Sequence, residues 1–222
     1  MLTSQKIKEQ YLLKKDVFDQ KQIETNLKVD EAKELYESGD DSAIEEYCDL
    51  VLTNSEYPEI LNRSWKINFT SSTKMLLVDY ELPSVDSLPM IDSYKYVKSK
   101  NAIDGKPMTA AKVKELYDDF LYQLCIRTVH EIAEADVSNH IQSIVFNGNV
   151  SALNKGTGNI EDKTIMTVLV DKEEFNKVNL SNVVAQNTFE HFNGIAGKSL
   201  FDLTSVTPLS SVKESFRVPK AS

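Results

Sequence analysis

The densest group of side chains able to do chemistry is Arg127, His130, Glu131, Glu134, Asp136 and His140. The run His130-Glu131-x-x-Glu134 has part of the spacing of a helical zinc site. Such a site needs a second histidine four residues after the first, so that two imidazoles share one helix face. Glu134 stands at that position. One histidine and one carboxylate a turn apart could hold a metal weakly, and no third ligand is evident. A small metal-dependent hydrolase using His130, Glu131 and Glu134 is one reading. The favoured one is a set of hydrogen bonds and ion pairs that close the end of a long helix.

Other candidates are weaker. A metal-dependent nuclease of the PD-(D/E)xK type needs an acid on one strand and Glu-x-Lys on the next, with carboxylates holding the metal that activates water. Glu161-Asp162-Lys163 matches the second element, but it is expected at a turn, and the preceding strand offers Asn147 rather than an acid. Gly156-Thr157-Gly158 reads as a hairpin turn. Cys125 sits among apolar helix residues, which predicts an inert thiol. Tyr80, Tyr94 and Tyr96 on strands could stack bases, but packing in the core is expected instead.

Around these residues the pattern predicts an α+β fold, with an N-terminal helical hairpin or coiled-coil segment followed by a mixed or antiparallel sheet packed on one long helix. Residues 4 to about 28 carry a thin helical stripe through Ile7, Tyr11, Leu12, Phe18, Ile23 and Leu27, continuing to a stop near Gly39. Ser42-Ala-Ile-Glu45 has capping-box spacing for a second helix, which ends before Tyr57-Pro58. Residues 65–69 and 74–82 alternate as a hairpin about the turn Thr70–Thr73, and residues 93–98 form a further strand. Asp104-Gly105 reads as a turn.

Thr109 to Asp136 is the strongest helix, about 40 Å long, with one broad apolar face. Strands at 141–147 and 163–170 should pair antiparallel, followed by short helices at 172–177 and 187–192. The expected units are residues 1–60, a helical hairpin, residues 61–210, an α+β domain, and residues 211–222, a loose tail or linker.

The net charge of −9 works against a strong electrostatic grip on nucleic acid. From Asp30 to Glu59 there are eleven acids and one base, Lys33. That stretch reads as a solvated helix face, or as the contact surface of an adaptor that binds a basic protein. Cys48 and Cys125 are the only cysteines, and both are expected as buried free thiols. With no apolar leader and no membrane-length apolar run, the expected location is the cytoplasm.

Residues 36–47, 50–58 and Lys74-Met-Leu-Leu-Val-Asp-Tyr-Glu-Leu-Pro83, with several segments after them, resemble the non-nuclease, N-terminal to central region of bacterial Mrr-type restriction endonucleases. Leu88-Pro89, Tyr94-Lys-Tyr-Val-Lys-Ser99, Leu116-Tyr-Asp-Asp119, Leu121-Tyr122, Arg127-Thr-Val-His-Glu131, Glu134-Ala-Asp136 and Ile144-Val-Phe-Asn-Gly148 continue the match. The resemblance covers most of residues 30–210. It implies a helical lead-in and an α+β domain that precede a PD-(D/E)xK nuclease domain, with Mg²⁺ belonging to that nuclease. The family's catalytic motif has no matching positions here. The expectation is therefore a non-catalytic targeting or assembly region of a DNA-cleaving defence protein. Its partners would be a nuclease domain or another protein, with self-association through the N-terminal helix and DNA contacted only indirectly or weakly.

Overall fold

A computed structural model describes residues 4–58, 61, 63–153 and 156–210. The fold is α+β. Helix α1 spans Ser4–Ser38 and is followed at once by α2, Asp41–Asn54. Gly39 takes the left-handed conformation (φ +82°) that a tight break between two helices demands. The cap of α2 is Asp40, whose carboxylate accepts from the Ala43 amide at 2.9 Å. This corrects the capping box expected at Ser42. Glu45 is drawn away, its carboxylate accepting instead from the Phe69 amide and the Asn68 side chain of a neighbouring strand.

Strands β1 (Ser64–Thr70) and β2 (Met75–Glu81) form the expected hairpin. Residues 91–107 form a separate two-stranded ribbon, β3 (Ile91–Val97) with β4 (Ala102–Pro107). Asp104-Gly105 lies within β4, not at a turn. The chain reverses instead at residues 98–101, where Asn101 adopts positive φ. Helix α3, Ala110–Ala135, is capped by Thr109 and buries Tyr117, Leu121, Cys125, Val129 and Ile132 along one stripe. β5 (Ser143–Leu153) and β6 (Ile160–Asp171) follow as a long antiparallel pair, then the short α4 (Lys172–Phe175), α5 (Ala185–His191) and β7 (Ile195–Ala196).

The main sheet has the order β1-β2-β5-β6-β7. β2 and β5 are parallel and the other pairs antiparallel, so the sheet is mixed. A parallel pair needs a long crossover, and the ribbon plus α3 supply it. One sheet face packs on α2 and α3. There Trp65, Tyr80 and Phe146 stack in a row across three strands, with centroids 5.9 Å apart at each step. Ile44, Cys48 and Leu52 of α2 belong to this same core, whereas among the described residues α1 contributes only the half-buried Tyr36.

A β-bulge at Gly148/Asn149 bends β5 where Gly148 lies against Met166 and Leu82. Residues 206–210 are tied to β6. The Val206 amide donates to Thr164 O at 2.8 Å and the Leu209 amide to Thr167 Oγ1 at 3.4 Å, so this segment lies over the second sheet face. The remaining tail, 211–222, is outside the described residues.

A Cβ at Gly194 would stand 2.4 Å from the ring of Phe189, which is itself buried against Tyr122. Gly194→Ala is therefore expected to cost about 1–3 kcal/mol by overpacking. Urea denaturation reads this directly, and a loss under about 0.5 kcal/mol would contradict the tight fit.

Candidate functional site

The cluster predicted at 127–136 is divided by the tertiary structure into three separate arrangements. In the first, the Arg127 Nε donates to Glu131 Oε1 at 2.7 Å across one turn of α3. The Ser55 hydroxyl, at the end of α2, donates to the same Glu131 oxygen at 2.6 Å and accepts from Arg127 at 3.1 Å. The Arg127 guanidinium also lies 4.2 Å from the centroid of the Tyr57 ring, and Arg63 lies 4.9 Å from it. Arg63 donates to the Leu52 carbonyl at 2.7 Å, which satisfies the exposed end of α2. This is a fastening between α2, α3 and the entry to β1, with cation–π contacts as its filling. The other Glu131 oxygen is buried without a partner among the described residues.

In the second arrangement, His130 and Glu134 pair at 3.4 Å on the solvent side of α3. The third lies beyond the helix end. The Lys172 ammonium donates to the Asp136 carboxylate at 2.6 Å, to its carbonyl at 2.7 Å and to Asn139 Oδ1 at 3.0 Å. Asp136 also accepts from the amides of His140 and Ile141 and from the Tyr36 hydroxyl. Both ends of the ion pair are almost fully buried, with 6% and 2% of the side chains exposed. Burial alone would push the Asp136 carboxyl up, but the Lys172 ammonium and the two amides outweigh it and hold it below its usual value. His140 packs edge-on against Tyr36, so this knot anchors α1 to the body.

Arg127, His130, Glu131, Glu134 and Asp136 thus do not converge on one point. Among the described residues no three His, Cys, Asp or Glu side chains are grouped to hold a metal ion. Glu161-Asp162-Lys163 lies on β6, not at a turn, and its acids are engaged locally: Thr157 donates to Glu161 at 3.0 Å and Ser151 donates to Asp162. Cys48 and Cys125 are buried free thiols, and burial pushes the Cys48 thiol up to about 12. Burial also pushes the Cys125 thiol up, which keeps it protonated and unreactive.

Sequence reasoning missed a buried polar row. Asp79, Asn147 and Thr167 are direct cross-strand neighbours on β2, β5 and β6. Asn147 donates to Asp79 at 2.7 Å and to the Ser210 carbonyl at 2.5 Å, while Thr167 donates to Asn147 at 2.6 Å. The signal was available: each is a polar residue inside an otherwise apolar strand. What it needed was the parallel register of β2 and β5.

A cleft of about 710 Å³ opens where the parallel strands β2 and β5 end, and Arg63, Ser64, Glu81, Tyr117, Ser151 and Phe201 help line it. Open sheets with parallel strands often bind ligands at such strand ends. Among the described residues its lining contains no histidine or cysteine, so no described hydroxyl there stands beside an imidazole base. The tyrosines divide. Tyr80 is in the core as expected, whereas Tyr94 and Tyr96 are 72% and 54% exposed on the ribbon, which corrects their expected burial. No helix among the described residues is long and apolar enough to cross a membrane. No protein-family model, curated protein or solved structure matches the chain.

Proposed function

We propose that this chain is a non-catalytic targeting or assembly region of a DNA-cleaving, restriction-endonuclease-like defence protein of the bacterial cytoplasm. Cleavage would belong to a PD-(D/E)xK nuclease domain outside these residues, together with the Mg²⁺ that such chemistry uses. The observation that carries the reading is the fate of the chemically able side chains. Arg127, Glu131 and Asp136 are consumed in fastening elements to one another, and His130 pairs with Glu134 at the surface. The segments that resemble Mrr-type enzymes support it further. They include strands β2 and β5 and part of α3, as well as α2 and the exposed ribbon strand β3. Exposed apolar residues along α1 favour self-association as the form the assembly takes.

Two measurements test the proposal. Reading the gene beyond the Ser222 codon, and the genes beside it, should reveal a strand with Asp followed by Glu-x-Lys. The purified chain should leave supercoiled plasmid intact in Mg²⁺. Nicking that disappears in Glu161→Ala or His130→Ala would place a catalytic centre in this chain and overturn the proposal.

A further inference from the structure

Helix α1 is out of proportion to its support. Its 35 residues make a rod about 50 Å long. Every described residue from Lys8 to Leu35 is exposed, save the half-buried Asp19. Tyr11, Leu13, Val17, Phe18 and Val29 each expose more than 60% of their surface. A water-exposed helix gains little from its own backbone, and most helical stability in proteins comes from packing an apolar face. The anchor at Tyr36 holds only one end.

Charge says what covers the rest. Residues 6–28 carry six lysines and four acids, whereas residues 30–49 carry nine acids and one lysine. The helix and its continuation into α2 are therefore basic at one end and acidic at the other. Two copies side by side in parallel would set like ends together. Two copies antiparallel set opposite ends together.

The seven-residue spacings sharpen this, because residues seven apart return to nearly the same helix face. Lys8 and Lys15 form one such pair and Asp30 and Glu37 another, while Tyr11 and Phe18 share a face between lysine rows. We infer that α1 pairs antiparallel with α1 of a second copy of this chain, in the register that lays Phe18 beside Val29, which shares its helix face three turns on. That register also sets Lys8 opposite Glu37, Lys15 opposite Asp30 and Lys21 opposite Glu24, each twice by symmetry. It is the isologous contact expected of a two-fold dimer. The inference deepens the assembly role proposed above: it names a second copy as the partner, and holds the two bodies at opposite ends of the paired rods.

The test uses the full chain. Light scattering at low ionic strength should give twice the monomer mass, with the dimer weakening as salt rises. Lys8→Glu/Lys15→Glu and Asp30→Lys/Glu37→Lys should each be monomeric alone and form a one-to-one heterodimer when mixed. For direction, Gln22→Cys should oxidise to a disulfide dimer, because residue 22 lies beside the dyad. Lys8→Cys alone should not, but should cross-link to Glu37→Cys. The native thiols are buried and will not interfere. A monomer at all salt concentrations, or a Lys8→Cys homodimer, overturns the antiparallel pairing. Neither result touches the gene-frame and plasmid tests, so a failed dimer and a failed nuclease partnership are read separately.

Discussion

Lys172→Met is expected to cost about 3–5 kcal/mol of folding stability, a large share of what a domain of this size holds. Methionine fills much of the same space but brings no charge. The Asp136 carboxylate would stay buried at the end of α3 with only amides and the Tyr36 hydroxyl for company, and the Asp136 carbonyl and Asn139 would each lose a donor. The urea midpoint of the variant reads the loss. Asp136→Asn relieves the stranded charge, so the double variant should cost less than the two single changes summed, by about 0.5–3 kcal/mol. Simple additivity would mean that the two groups are neighbours without being partners.

The same pair sets a pH dependence. The carboxyl of Asp136 is held below its ordinary value of 3.8 in the folded chain. A group depressed in this way binds protons more readily when unfolded, so its contribution is complete above that ordinary value. It is lost as pH falls through the depressed folded value. Stability of the native chain should therefore drop in the acid range below about pH 4, and Asp136→Asn should flatten that part of the profile. A profile with the same slope in both proteins would remove Asp136 from the account.

Asn147→Leu is the second change with a large expected effect, about 3 kcal/mol, and its signature is local as well as global. The asparagine amide is the centre of the buried row, donating to Asp79 and to the Ser210 carbonyl while accepting from Thr167. Leucine has the same branched skeleton, is bulkier, and offers none of these bonds. The Thr167 hydroxyl also receives the Leu209 amide, so disturbing it should loosen the strap over the second sheet face. Hydrogen exchange should quicken at residues 206–210 well before the strands β5 and β6 open. Unchanged protection at Leu209 would show that the strap is held by the Val206–Thr164 backbone bond alone.

Local pattern was enough for much of this architecture. The apolar stripe of α3, the alternation of β1 and β2 about a four-residue turn, and the antiparallel β5–β6 pair all follow from side chains within a few positions of one another. So does the α+β class, since a 3.6-residue period and a 2-residue period cannot be satisfied by the same backbone. The break at Gly39 was also legible, because few other residues accept that conformation. β4 was not: glycine and aspartate are common in turns, and only pairing with Tyr94 and Lys95 shows that Gly105 and Asp104 are in a strand.

The candidate site shows the limit more sharply. Spacing alone put Arg127 beside Glu131 and His130 beside Glu134, one helical turn apart in each case, and both pairs exist. Spacing could not say that Ser55 and Tyr57 would claim the first pair, or that the second would face solvent. Nor could it say that Lys172, 36 residues on, and Tyr36, 100 residues back, would claim Asp136. A carboxylate's role is set by what lies within about 3 Å of it and by how much water it keeps. Sequence determined which residues could ionise and which local turns they occupied. The tertiary structure decided their partners, because the parallel β2–β5 pairing and the crossover through α3 bring together groups that no local period relates.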